Sequence, residues 1–230
     1  MNKDAGDYAL GARAPGGFKY AEDSVLFSTH SGTHIDALAH VWSGDTLYNG
    51  HPASSTRSGS GAGSLGAEKL KPIVTRGVLL DFVAATGAPL TASQPIGRAE
   101  LEQAYERIGV TPQPGDAVLT RTGWWESKGA AGAEYFDLEP GISGEGALWL
   151  AQHDVAVVGA DNYAVEVQPD PDGMTFPAHL ELMHRHGVPL IENLDLTELA
   201  EAGATTFLFV LAPIPLEGST AAPVTPLAVL

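Results

Sequence analysis

Three of the eight histidines in this 230-residue chain fall in one stretch, His30-Ser31-Gly32-Thr33-His34-Ile35-Asp36-Ala37-Leu38-Ala39-His40, together with an aspartate. That spacing restricts the backbone more tightly than any other part of the sequence. A regular helix would bring His30 and His34 to one face and turn Asp36 and His40 away from it. A regular strand would put all four on one face, since successive side chains alternate, but would leave His30 and His40 roughly 33 Å apart. Neither rod can gather the set. Gly32 offers the exit, because glycine admits the backbone angles that bend or bulge a strand. Beyond it, His34 and Asp36 would stand roughly 7 Å apart on one face, a chelating bite. The stretch therefore reads as a strand that breaks at Gly32 and folds its polar side chains together.

Imidazole nitrogen and carboxylate oxygen are the donors of Zn²⁺ and of neighbouring divalent ions. A hydrogen-bonded core accounts for a single buried histidine. Three histidines and an aspartate would each need a separate partner, and a shared metal supplies one for all of them. The chain has no cysteine, so any ligand set is limited to nitrogen and oxygen, and disulfides and thiol nucleophiles are excluded. That usage fits a cytoplasmic protein. Twenty-eight acidic against twelve basic residues leave a net charge of −16, which opposes nucleic acid or an anionic membrane as partner. A mean hydropathy near zero describes a globular chain. No apolar run is long enough to span a bilayer, and no signal-peptide core opens the sequence.

The length fits one domain over residues 1–230, with residues 1–20, rich in Gly and Ala, as a loose arm. Residues 24–29 read as a strand leading into His30, and residues 43–68 as a long loop. Apolar runs over 74–84 and 117–121 read as strands. Between them Leu101, Tyr105 and Ile108 recur at helical spacing, with Gly109 as the stop. A second helix is expected over 143–153 with Ser143 as its cap, then a strand over 155–159. A weak helix over 178–186 should end at Gly187, before a strand over 188–191. Asp195-x-x-Glu198 has the form of a capping box opening a short helix to Ala202, and residues 205–211 read as a buried strand. Strands alternating with helices make the fold class α/β.

Several motifs carry no chemistry. Gly61-Ala62-Gly63-Ser64-Leu65-Gly66 matches a dinucleotide fingerprint in letters, but no strand precedes it and no helix follows, so it reads as a loop. There is no G-x-S-x-G nucleophile elbow. Asp170-Pro171-Asp172-Gly173 lacks the later ligands of a calcium loop and reads as a turn. His51 and His153 fit the surface, and Trp124 and Trp125 fit packing.

The run from His30 to His40 resembles the signature of the cyclase and bacterial kynurenine formamidase (arylformamidase)-like family of metal-dependent hydrolases. The likeness continues through Arg121-Thr122-Gly123-Trp124, Val158-Gly159-Ala160-Asp161, Phe176-Pro177-Ala178-His179 and Ile191-Glu192-Asn193-Leu194, to the tail over 223–230. It implies the swivelling β/β/α single domain of these hydrolases, assembled as a homodimer or homotetramer. It further implies that His30, His34 and Asp36 hold a first ion. Asp36 would bridge to a second ion completed by His179 and Glu192, and His40 would stand clear as general acid/base. The ion would be Zn²⁺ or alternatively Mn²⁺, one or two per chain. The implied activity is hydrolysis of an amide, formamide, imide or lactone bond in a small cyclic or aryl substrate by metal-activated water. The alternatives are a cyclase/dehydratase acting on a polyketide-like substrate and a metal-binding protein without turnover.

Overall fold

Alternation along the strands sorts the apolar side chains into two cores on opposite faces of one sheet. The computed structural model describes residues 18–129 and 132–230. The arm expected over residues 1–20 lies, as far as residue 17, outside the described residues. The sheet has eight strands: β1 (His34–Asp36), β2 (Ile73–Asp81), β3 (Ala117–Arg121), β4 (Val157–Ala160), β5 (Leu190–Glu192), β6 (Thr206–Leu211), β7 (Ala221–Pro223) and β8 (Leu227–Val229). Their order is β7-β1-β5-β4-β3-β2-β6-β8. The middle run from β2 through β3 and β4 to β5 is parallel, and the flanking pairs are antiparallel. Parallel neighbours need a crossover, and three helical segments supply them: α1 (Arg98–Ile108), α2 (Gly144–Gln152) and α3 (Pro177–His179), which runs on as a π-helical turn over Leu180–Arg185.

The helices cover one face. Leu101, Ala104 and Tyr105 of α1, Ala147, Trp149 and Leu150 of α2, and Ala178, Leu182 and Met183 pack with Val78, Leu80, Val118, Val158 and Leu190. The residues in between, Leu79, Ala117, Leu119, Val157 and Ile191, point the other way. There the curled sheet closes on Ile35, Phe207, Phe209, Leu211 and Ala222. Period-two alternation thus feeds both cores, so the parallel strands read as continuous apolar runs. The α/β class expected from the alternation of strands and helices is what the chain adopts.

Several expectations need correction. Residues 24–28 form no strand, and Val25 and Leu26 lie exposed, so no buried surface rewards one there. The stretch over 43–68 is irregular but ordered, with single 3-10 turns and a short hairpin, Thr56–Arg57 with Gly61–Ala62. The strand expected over 74–84 ends at Asp81, whose carboxylate accepts from Ala84 N and starts a short helix, Phe82–Thr86. The capping box at Asp195 does not form. Its carboxylate instead accepts from Thr197 N, two residues on, and the helix is Thr197–Glu201. Strand β6 alternates buried and exposed residues rather than lying wholly buried. The C-terminal segment, where no strand is expected, supplies both edges of the sheet. Ser143 caps α2 through Gly146 N, and Gly109 ends α1, both as expected. Among the described residues no helix is long and apolar enough to cross a membrane.

Candidate metal centre

The site is built by the pairing of β1 with β5. In that antiparallel pair His34 lies directly opposite Glu192, and Ile35 opposite Ile191. Alternation turns Ile35 into the inner core and leaves His34, Asp36 and Glu192 on the face that the helices cover. His34 Nε2 is 3.2 Å from Glu192 Oε2 and 3.4 Å from Asp36 Oδ1. His179, in the first turn of α3, reaches in from above: its Nε2 is 3.4 Å from Glu192 Oε1 and 3.8 Å from Asp36 Oδ2.

The two ends of the histidine run fold back over this pair. Gly32 has φ of 64°, a left-handed angle with nothing near its missing side chain, so backbone freedom rather than space calls for glycine. The turn carries His30 above Asp36, Nδ1 to Oδ1 at 2.9 Å. After β1 the chain turns again, His40 N bonding Ala37 O at 2.8 Å, and brings His40 Nε2 to 3.9 Å from Asp36 Oδ2. The bend inferred at Gly32 is the device that gathers the set. All six residues named from the sequence, His30, His34, Asp36, His40, His179 and Glu192, therefore meet around one carboxylate. His40 lies closer to the cluster than the resemblance implies. Donor atoms of His30, Asp36 and His40 fall within 4.8 Å of one another, and so do those of His34, Asp36 and Glu192.

Asp36 is wholly buried, yet among the described residues neither of its oxygens has a hydrogen-bond partner, and the same holds for His34 Nε2. The ring nitrogens approach without the alignment a hydrogen bond requires. Buried polar atoms are almost always paired, because an unpaired one forfeits its hydration. Converging nitrogen and oxygen lone pairs fit a divalent cation of the Zn²⁺ or Mn²⁺ kind. The ring orientations agree. His34 Nδ1 lies 2.8 Å from Gly32 O, an acceptor, so Nδ1 carries a proton and the neutral ring would turn its Nε2 lone pair to the carboxylates. His30 Nε2 meets Thr220 Oγ1 at 3.0 Å, which leaves its Nδ1 toward Asp36.

Electrostatics describe the same need for positive charge. Burial opposes charge on His34, but Asp36 and Glu192 outweigh it and hold its pKa up to about 10. Burial likewise opposes charge on His179, which Asp36, Glu166 and Glu192 hold well above the ordinary histidine value. Asp36 would be pushed up by burial, yet His179, His30 and His34 keep its carboxyl well below the usual range. His40 moves the other way, lowered by burial and by the neighbouring His30 and His179 against the pull of Asp36.

A pocket of about 340 Å³ opens beside the cluster, lined by His40, Val41, Trp42, Thr175, Phe176, His179 and Leu180. His40 is partly exposed at its edge, and Trp42 is half-exposed. The Phe176 ring meets His179 edge-on at 5.3 Å. The remaining four histidines lie elsewhere: His51 is partly buried in the loop after β1, His153 donates from Nδ1 to Trp149 O, His186 from Nδ1 to Glu181 O, and His184 Nε2 lies 3.4 Å from Thr46 Oγ1. Arg121 pairs with Asp81 and Glu126, and Trp124 is buried with its Nε1 donating to Tyr135 O. The Gly61 segment lies in the hairpin. Asp170 accepts from Asp172 N and Met174 N as a turn residue. Reasoning from sequence misses Glu166, which bonds His179. Its one signal is a lone charge in the apolar run Ala164-Val165-Glu166-Val167.

Residues 6–167 match the profile of the family described as "Putative cyclase". A crystal structure described as a novel cyclase is 32% identical and superposes with a TM-score of 0.89, over 99% of this chain and 78% of that one. An isatin hydrolase bound to the product analogue thioisatinate superposes with a TM-score of 0.67 at 20% identity, over 89% of this chain and 73% of that one. A predicted metal-dependent hydrolase from Bacillus stearothermophilus reaches 0.57 at 23% identity, over 89% and 79% of the two chains. No curated protein matches the sequence. The chain belongs to the cyclase family.

Proposed function

We propose that this cyclase-family protein is a metal-dependent hydrolase that opens an amide, formamide, imide or lactone bond in a small cyclic or aryl substrate. The observation that carries the reading is the set of buried donor atoms on His34 and Asp36 that have no hydrogen-bond partner among the described residues, beside His40 and His179, which line a pocket. His30, His34 and Asp36 would hold one ion, and Asp36, His179 and Glu192 a second. A divalent ion there, Zn²⁺ or alternatively Mn²⁺, supplies Lewis acidity that polarises a carbonyl and makes water acidic near neutral pH.

The protein's own residues supply position and proton traffic. Trp42 and Phe176 offer aromatic surface to a flat ring, and the pocket volume suits a small molecule. His40, partly exposed beside them, takes the proton from the attacking water and returns it to the departing nitrogen or oxygen. Asp36, buried among four imidazoles, keeps its charge and so remains a donor throughout. The relatives' names support hydrolysis: one is an isatin hydrolase, another a metal-dependent hydrolase. The 32%-identical relative is described as a cyclase, which favours as second reading ring closure with loss of water on a polyketide-like substrate.

The test joins metal content to turnover. Protein purified without chelator should carry one to two equivalents of a divalent ion. It should also release ring-opened or deformylated product from a panel of N-formylanilines, lactones and cyclic imides. Water loss without hydrolysis selects the second reading. Metal bound with no turnover makes the chain a binding protein, and full activity in metal-free protein ends the account.

A further inference from the structure

Glu166 has no part in the ligand assignment above, yet it is fully buried beside the centre. A carboxylate withdrawn from water needs donors, and Glu166 finds them on two successive residues. Oε2 accepts from Ala178 N at 2.9 Å, Oε1 accepts from His179 N at 3.1 Å, and the His179 ring donates from Nδ1 to the same Oε1. The first two bonds hold the opening turn of α3, where no local side chain caps the helix. The third settles the ring. In the neutral ring that ligation requires, a proton held on Nδ1 leaves Nε2 free toward Asp36 Oδ2 and Glu192 Oε1.

We propose that Glu166 is a positioning residue that fixes the tautomer and the aim of His179, so that Nε2 serves the ion position between Asp36 and Glu192. The proposal rests on the reading of His179 and Glu192 as ligands. Outer carboxylates that accept from a ligating histidine set its orientation and raise its basicity, and their loss typically weakens metal binding roughly 10–100-fold.

Glutamine at 166 faces a choice that glutamate does not. If its amide oxygen takes the Oε1 position, the NH₂ meets the N–H of Ala178, donor against donor. If the NH₂ takes the Oε1 position, it opposes His179 N–H and donates to Nδ1, which moves the ring proton to Nε2 and blocks the metal-facing nitrogen.

The experiment is titration of chelator-stripped protein with Mn²⁺ and with Zn²⁺, competed against a chelator of known affinity, for wild type, Glu166→Gln and Glu192→Gln. Wild type should bind two ions. Glu166→Gln should weaken one of them roughly 10–100-fold and leave the other unchanged, and Glu192→Gln should weaken that same one. Equal affinities in wild type and Glu166→Gln overturn the proposal alone. A wild type with one ion only, or a Glu192→Gln that changes neither, overturns the two-ion reading and the proposal with it. If Glu166→Gln does not fold, the Zn²⁺-loaded wild type carries the test through long-range ¹H–¹⁵N spectra. The resonance pair that His179→Ala removes should show a proton on Nδ1 and metal on Nε2. A proton on Nε2 overturns the proposal.

Discussion

Three of the four imidazoles of the centre have a neighbour that explains their pose. Gly32 O turns His34, Thr220 turns His30, and Glu166 turns His179. His40 is set apart: it is the most exposed of the four rings, it lines the pocket, and its pKa falls where those of His34 and His179 rise. A proton carrier that touches substrate needs that combination, and such assistance typically contributes about 10²–10⁴-fold. We expect His40→Ala to keep its metal and fold while kcat drops by about that factor. His34→Ala should lose metal and activity together. Metal content and kcat measured on one His40→Ala preparation decide the matter, because metal lost in step with rate would make His40 a ligand. At this scale the run from His30 to His40 is legible in the sequence itself, since four donors so close along the chain have few other uses. His179 and Glu192 follow from the resemblance alone, and Glu166 has no role that the sequence assigns. Nothing local marks a buried glutamate as partner to a histidine that only the fold brings near.

Among the elements, most of those whose signals are local behave as read, the capping box at Asp195 excepted. α1 ends at Gly109 and α2 begins at Ser143, as their signals say, and β3 matches its apolar run residue for residue. The mismatches fall where packing decides. Residues 24–28 carry strand formers, yet no sheet edge takes them up, while the unremarkable tail segments become β7 and β8 because two edges were open to them. Gly77 shows the same override. In mid-strand β2, opposite Phe207 of β6, glycine is locally a poor choice. A side chain there would run into the Phe207 ring within the inner core. Gly77→Ala should therefore destabilise the fold by about 1–3 kcal/mol, although alanine is the better strand residue. The effect should shrink in a Phe207→Ala background, and urea midpoints of the four proteins measure it. A Gly77→Ala midpoint equal to wild type would show that the ring yields freely.

Over the whole molecule, the centre ties distant chain to distant chain. His30 to His40 come from one part of the sequence, His179 from the parallel sheet's last crossover and Glu192 from the strand after it, and the unfolded chain cannot present them together. An ion that binds only the folded state stabilises it by mass action, about 2.7 kcal/mol at a hundred times Kd. For a chain of this size that converts to a Tm rise of roughly 5–10 °C. Stripped protein should show that rise on addition of Zn²⁺ or Mn²⁺, and His34→Ala should abolish it. An equal shift in His34→Ala would assign the effect to the acidic surface, which at a net charge of −16 attracts cations at large.

What the sequence determined by itself was the α/β class, the stop of α1, the cap of α2 and the donor run with its bend at Gly32. Those follow from alternation, capping and backbone freedom over a few residues. The pairing of β1 with β5, which sets Glu192 opposite His34, was decided only by the tertiary structure. So were the reach of α3 into the same face and the carboxylate that holds His179 there. Strand order and crossover packing depend on how two cores fill around one curled sheet, and that energy is spread over residues too far apart in sequence for any local pattern to carry it.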